Sequence, residues 1–159
     1  MNRLIARFAA TAGFAATTLL PGPALSQAAP QPIKVCPLVS KADVKKNIPW
    51  KDVLDQMPVD EEAVGTTGSS CNYPTVHVQV LAFRQSFIDT MGKDTKLDPV
   101  SGVGDAAWFR NNKNRFAELA VKVGPRLLTL QADIPDGGTI ESVKPGMLNL
   151  AKLYVGKLR

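Results

Sequence analysis

The single histidine is the residue in this chain that could most readily act as a general base. His77 alternates with Val76 and Val78, so a strand would place its side chain on the face opposite the valines. Catalysis by this residue would also need a nucleophile and an orienting acid beside it. Asp105 is a candidate acid, and this pair is the enzymatic alternative. The preferred interpretation of His77 is a solvated strand residue.

Two cysteines, Cys36 and Cys71, are the only thiols in the sequence. They do not form a Cys-x-x-Cys redox motif, and no second type of metal ligand lies near either of them. In an oxidising compartment such a pair favours a disulfide. We predict a structural Cys36–Cys71 bond, which closes a loop of about 35 residues and restricts the unfolded chain by roughly 4 kcal/mol.

Metal and cofactor motifs are not found. His77 has no second histidine at a ligand spacing, and the acidic run Asp60, Glu61 and Glu62 does not follow the alternation of a calcium loop. The turn Gly102-Val103-Gly104 is interpreted as backbone geometry that allows a sharp entry into a strand, and not as a nucleotide-binding loop. The sequence therefore predicts no metal and no cofactor.

A group of basic and aromatic residues surrounds a predicted hairpin tip. Its members are Trp108, Phe109, Arg110, Lys113 and Arg115. Such a patch could contact an anionic membrane surface or polymer. Basic residues at hairpin tips also serve solubility and protect sheet edges, so the patch is a candidate binding surface and not an assigned one.

The amino-terminal segment has the features of a cleavable secretory signal. Arg3 and Arg7 precede an apolar run from Phe8 to Leu20, which is shorter than the roughly 20 apolar residues that span a bilayer. Small side chains at Ala24 and Ser26 suit a signal peptidase, so we expect cleavage after Ser26, with the bond after Ala28 as the alternative.

Export organises the rest of the chain. We predict a signal peptide over residues 1–26, an extended linker over 27–35 and a single domain over 36–159. The leader contains two basic and no acidic residues, so its removal lowers the net charge from +5 to +3. We expect a periplasmic or secreted protein with no transmembrane segment in its mature form and no nucleic-acid partner.

The elements that must position these residues follow from periodicity and turn chemistry. A capping box at Ser40-Lys41-Ala42-Asp43 predicts a short helix that ends at Pro49. Alternating valines predict a half-buried strand at 75–80. Residues 58–70 are interpreted as a mobile acidic loop. The other predicted elements are a turn at Trp50–Met57, helices at 84–91 and 141–158, a polar loop up to Ser101, and strands at 106–110, 115–123 and 126–132.

Together these elements predict an α+β fold, with an antiparallel sheet of about four to six strands and short helices near the amino terminus. The carboxy-terminal helix should pack on one face of that sheet, because its apolar residues recur at helical spacing. The three strands from 106 to 132 are joined by short turns and should form a meander.

Four short motifs in this chain form a recognisable pattern. They are Cys36-Pro37-Leu38, Cys71-Asn72-Tyr73, Gly102-Val103-Gly104-Asp105-Ala106-Ala107 and Leu150-Ala151-Lys152-Leu153. The pattern resembles secreted bacterial domains of unknown function, including many small actinobacterial lipoproteins. The resemblance implies the disulfide and a sandwich-like α+β fold, and it carries no catalytic residues. Cys36 follows Ile33-Lys34-Val35, which lacks the small residues of a lipid-attachment site, so lipidation is not expected.

The leading functional hypothesis is an exported, disulfide-stapled binding or envelope-associated protein without catalytic activity. Its partner would be a small ligand or an envelope component. One alternative is a small hydrolase-like enzyme that uses His77 with an acid. The other is a surface-interaction protein that contacts anionic envelope components through residues 110–115.

Overall fold

The computed structural model describes residues 33–48, 59–112, 116–134 and 136–159. The predicted signal peptide, residues 27–32 of the predicted linker and the predicted turn at Trp50–Met57 lie outside these ranges. Lys113 and Arg115 also lie outside them. Within the described ranges, no helix combines the length and the apolar character needed to cross a membrane.

Within the same ranges, seven strands form one antiparallel sheet. They are β1 Asp60–Val64, β2 Gly68–Tyr73, β3 Val76–Ala82, β4 Leu97–Val100, β5 Ala106–Asn112, β6 Phe116–Val123 and β7 Arg126–Asp133. Their order across the sheet is β1-β2-β3-β7-β6-β5-β4. Two meanders, β1 to β3 and β4 to β7, therefore join where β3 pairs with β7.

The architecture is α+β, as predicted, but the sheet has seven strands and not four to six. The additional strands come from segments without alternating apolar residues. Residues 58–70 were predicted to be a mobile acidic loop, and this prediction is wrong, because β1 and the start of β2 pair there as a hairpin. β4 likewise occupies part of the predicted polar loop. Pairing with a neighbouring strand, and not local composition, makes these segments extended.

Three α-helices accompany the sheet in the described part of the chain: α1 Lys41–Asn47, α2 Gln85–Met91 and α3 Ile140–Leu158. A short 3-10 helix, Cys36–Leu38, precedes α1. The predicted capping box is confirmed, since Ser40 Oγ accepts from the Asp43 amide at 3.1 Å and the Asp43 carboxylate accepts from the Ser40 amide at 3.2 Å. Hydrogen bonds that the Ser40 hydroxyl and then the Ser40 amide donate to the Asp43 carboxylate lower the pKa of Asp43. α2 ends at Gly92 and α3 covers the sheet, both as predicted.

The main core lies between one face of the sheet and the helices α1 and α3. The apolar residues of β3, β6 and β7 that point to this face pack against Met147, Leu150 and Tyr154 of α3. α2 covers part of the opposite face, where Ile88 and Met91 pack on Ala120 and Leu127. We call that opposite face the outer face of the sheet.

A disulfide and a buried hydrogen bond attach the first described residues to the core. The predicted disulfide is confirmed, with the Cα atoms of Cys36 and Cys71 5.0 Å apart. The Tyr73 hydroxyl donates to the Val39 carbonyl at 3.0 Å and lies 3.5 Å from the Tyr154 hydroxyl. Burial raises the pKa of both tyrosines, so these phenols stay protonated and act as hydrogen-bonding groups.

Candidate functional site

The register of the sheet brings six polar side chains into one line across the outer face. Each is paired with the next on the adjacent strand, and we call the line the polar row: Asp60, Asn72, His77, Gln131, Glu118 and Arg110. Neighbours of these residues along the strands, such as Cys71, Val78 and Leu130, point into the core. Because side chains alternate along a strand, the polar row faces away from the core.

His77 lies in the middle of the polar row, on the face opposite the valines as predicted, but it is half-buried and not freely solvated. Its Nδ1 contacts Asn72 Oδ1 on β2. An amide oxygen only accepts, so Nδ1 carries the proton and Nε2 is left as an acceptor. Burial lowers the pKa of His77, and the charge of Glu62 opposes this shift. The imidazole is therefore neutral at pH 7.

A depression of about 160 Å³ opens beside His77 at the end of β3 and β7. We call it the His77 depression; it is lined by Tyr73, Pro74, Thr75, Val76, His77, Gln131 and Asp133. The Thr75 hydroxyl is buried and has no hydrogen-bond partner among the described residues. Burial raises the pKa of Asp133. The three ionisable residues of the depression, Tyr73, His77 and Asp133, are thus all shifted toward their uncharged forms.

The other end of the polar row is an ion pair. Arg110 Nη1 lies 3.2 Å from Glu118 Oε2, and the two side chains are only 21% and 14% exposed. Partial burial makes such a pair stronger than a fully solvated one, and it neutralises the positive charge of Arg110. Arg110 Nε is buried and, within the described residues, has no partner.

The predicted hairpin-tip patch is divided between the two faces of the sheet. Phe109 points into the main core, where Lys144 Nζ lies 4.8 Å from its ring centroid. Trp108 points to the outer face and packs beside α2. Arg110 is engaged by Glu118. Since Lys113 and Arg115 lie outside the described residues, the patch is not assembled from the residues that can be placed.

Asp105 is not brought to His77. Its carboxylate accepts from the Gly124 amide at 2.6 Å and from Arg159 at 3.1 Å, and these hydrogen bonds lower its pKa. Gly124 is in the turn between β6 and β7, whereas His77 pairs with Gln131 near the other end of β7. Arg126, the first residue of β7 after that turn, is five residues from Gln131, which is about 17 Å along the strand at roughly 3.4 Å per residue. In this geometry Asp105 has a structural role, because it connects the β6–β7 turn to Arg159.

A larger groove of about 420 Å³ lies beside the edge strand β1. Its central group, Glu61, is already engaged, because Oε1 accepts from the Val35 amide at 2.5 Å and from Ser69 Oγ at 3.0 Å. This groove is the seam where the chain before α1 closes on the sheet. The described residues contain no group of three or more His, Cys, Asp or Glu side chains that could hold a metal ion.

Sequence reasoning found His77 but missed its neighbours in the polar row. Asn72, Gln131 and Glu118 are individually ordinary polar residues on strands, and they come together only through strand register. Their positions opposite apolar residues are the single local signal, since this alternation marks them as outward-facing.

Comparison of this chain with family models, with curated proteins and with solved structures gives no match in any of the three. The geometry of the outer face is therefore the basis for the function proposed below.

Proposed function

We propose that this chain is an exported, disulfide-stapled binding protein that holds a polar ligand at the polar row and has no catalytic activity of its own. The observation that carries the proposal is the His77 depression, in which the buried Thr75 hydroxyl lacks a partner. A buried polar group without a hydrogen bond costs about 1–3 kcal/mol. A ligand recovers that free energy if Thr75 turns its hydroxyl into the depression when the ligand binds. The secretory features of residues 1–26 and the resemblance to secreted bacterial domains support an envelope location.

A binding function fits this site better than a catalytic function does. The side chain that contacts His77 Nδ1 is the amide of Asn72, which neither accepts a proton nor attacks a substrate. The Thr75 hydroxyl in the same depression is not hydrogen-bonded to His77, so the imidazole does not activate it. Among the described residues, no contact favours the hydrolase alternative or the membrane-surface alternative.

The test is a ligand titration of residues 27–159 that is monitored by amide NMR. The panel contains oligosaccharides, short peptides, phospholipid micelles, and calcium and zinc salts. We expect at least one class to shift the amide signals of Asn72, His77 and Gln131 in a saturable manner. Shifts confined to the exposed face of α3, or no saturable shift with any class, would refute the proposed site.

Two glutamine variants provide the matched comparison. Gln131→Ala removes a side chain of the polar row, whereas Gln85→Ala removes an exposed glutamine at the start of α2. Binding should weaken in the first variant and stay unchanged in the second. Equal affinities in both variants would contradict a role for the polar row.

A further inference from the structure

We propose that the ligand of the polar row is an uncharged, hydroxyl-rich chain, a short glycan, that lies across strands β2, β3, β7, β6 and β5. This inference rests on the proposed function and specifies its ligand class. It comes from the hydrogen-bonding groups, the charge balance and the length of the row.

The hydrogen-bonding groups near the centre of the row both donate and accept. Asn72 and Gln131 carry carboxamides, and Gln79 adds a third on the same face, two residues from His77. His77 Nε2 adds an acceptor, because Nδ1 is held by Asn72. Each sugar hydroxyl also donates and accepts, so neighbouring hydroxyls match paired amide oxygens and amino groups.

The charge balance disfavours an anionic ligand at the centre of the row. His77 is neutral there, and the positive charge of Arg110 is already neutralised by Glu118 at 3.2 Å. An anionic ligand would have to break this pair and would leave Glu118 half-buried without its partner, which is costly. Asp60 and Glu62, on the exposed edge strand β1, would also repel an anion.

The dimensions of the row suit a chain and not a single small molecule. From Asn72 to Arg110 the row crosses four inter-strand spacings, or about 19 Å at roughly 4.8 Å each. The His77 depression, at about 160 Å³, accounts for only part of that length. Trp108 lies two residues before Arg110 on the same face of β5 and is half-buried, so the far end of the row offers an aromatic ring. Such a ring pairs an apolar surface with a polar edge.

The experiment compares tetrasaccharides of defined charge by calorimetry and amide NMR on residues 27–159. The neutral probes are β-1,4-linked glucose, β-1,4-linked N-acetylglucosamine and α-1,4-linked glucose tetrasaccharides, and the charged probe is a tetrasaccharide of uronic acids. At least one neutral probe should bind with shifts along the polar row, and at least tenfold more tightly than both the charged probe and its own monosaccharide.

Three variants locate the interaction. Gln131→Ala should weaken binding of the neutral tetrasaccharide about tenfold, because one amide supplies two hydrogen bonds. Asn72→Asp keeps the size of the side chain but places a charge in the row, and it should weaken binding by a similar factor. Gln85→Ala should have no effect. The dispersion of the amide spectrum shows that each variant is folded.

The outcomes separate this inference from the proposed function. Preference for the charged tetrasaccharide, or row shifts caused only by a peptide, lipid or metal, would overturn the glycan inference and leave a binding function at the row. Failure of every probe to perturb the row would overturn both. Sugar binding that is unchanged in both Gln131→Ala and Asn72→Asp would overturn the glycan inference at this site.

Discussion

The helices α1 and α3 approach each other closely at Gly146, and this contact yields the sharpest stability prediction. Gly146 is buried in α3 where α3 packs on α1, beside Asn47, the last residue of α1. A Cβ atom at position 146 would lie 2.8 Å from the Asn47 carbonyl carbon and closer still to its oxygen. Because both atoms belong to the backbone, Gly146→Ala requires α1 to move and not merely a side chain to rotate.

Two opposing effects set the magnitude for Gly146→Ala. Replacing glycine by alanine inside a helix favours folding by about 1 kcal/mol. Overpacking of a tight contact costs about 1–3 kcal/mol, and displacement of α1 also disturbs Ile48, which is 1% exposed and directly follows that helix. Loss of Ile48 burial adds up to about 1.5–3 kcal/mol if α1 detaches. We therefore expect a net destabilisation of about 1–3 kcal/mol.

Urea unfolding of residues 27–159 with the disulfide intact measures this effect. With an m value of about 2 kcal/mol/M, the midpoint should fall by about 0.5–1.5 M. Gly156→Ala is the matched control, because Gly156 is an exposed residue of the same helix and an added Cβ would meet nothing within 4 Å. It should stabilise the protein by up to about 1 kcal/mol. A Gly146→Ala protein as stable as the wild type would refute the helix contact.

Three further predictions concern other buried groups. Since burial lowers the pKa of His77 below 6.5, the unfolded state takes up the proton at a higher pH than the folded state does. The free energy of unfolding should therefore fall as the pH drops from about 6.5 through the folded pKa. His77→Gln should flatten the dependence of that free energy on pH over the same window. Tyr73→Phe should lower the free energy of unfolding in urea by about 1–2 kcal/mol, because it leaves the buried Val39 carbonyl unpaired. Tyr154→Phe should cost less, because its hydroxyl contact is longer. The reverse order would contradict the assigned hydrogen bonds. Gly104→Ala should lower the melting temperature more than Gly102→Ala. Both residues have positive φ, but only at position 104 would a Cβ meet neighbouring atoms within 4 Å. Equal decreases in melting temperature would exclude that contact as the cause.

The local elements of this fold were predictable where a short stretch of sequence carries its own signal. The capping box at Ser40 and Asp43 satisfies amides of its own helix, and the alternation of Val76 with His77 marks a half-buried strand. The sequence did not predict strands β1, β2 and β4, because their residues carry no such local signal. Their residues become extended because a neighbouring strand or the Cys71 disulfide holds them, and neither is visible in a local window.

The candidate site shows the same division between local and long-range information. The sequence by itself determined the disulfide, since the chain contains only two cysteines and its amino-terminal features predict export to an oxidising compartment. It also determined the outward face of His77 and the helix that covers the sheet, since both depend on residue types at fixed spacing. Only the tertiary structure placed Asn72 and Gln131 beside His77, paired Arg110 with Glu118 and separated Asp105 from the histidine. Those relations depend on the junction of β3 with β7, which joins segments about 50 residues apart and is decided by the packing of the whole sheet.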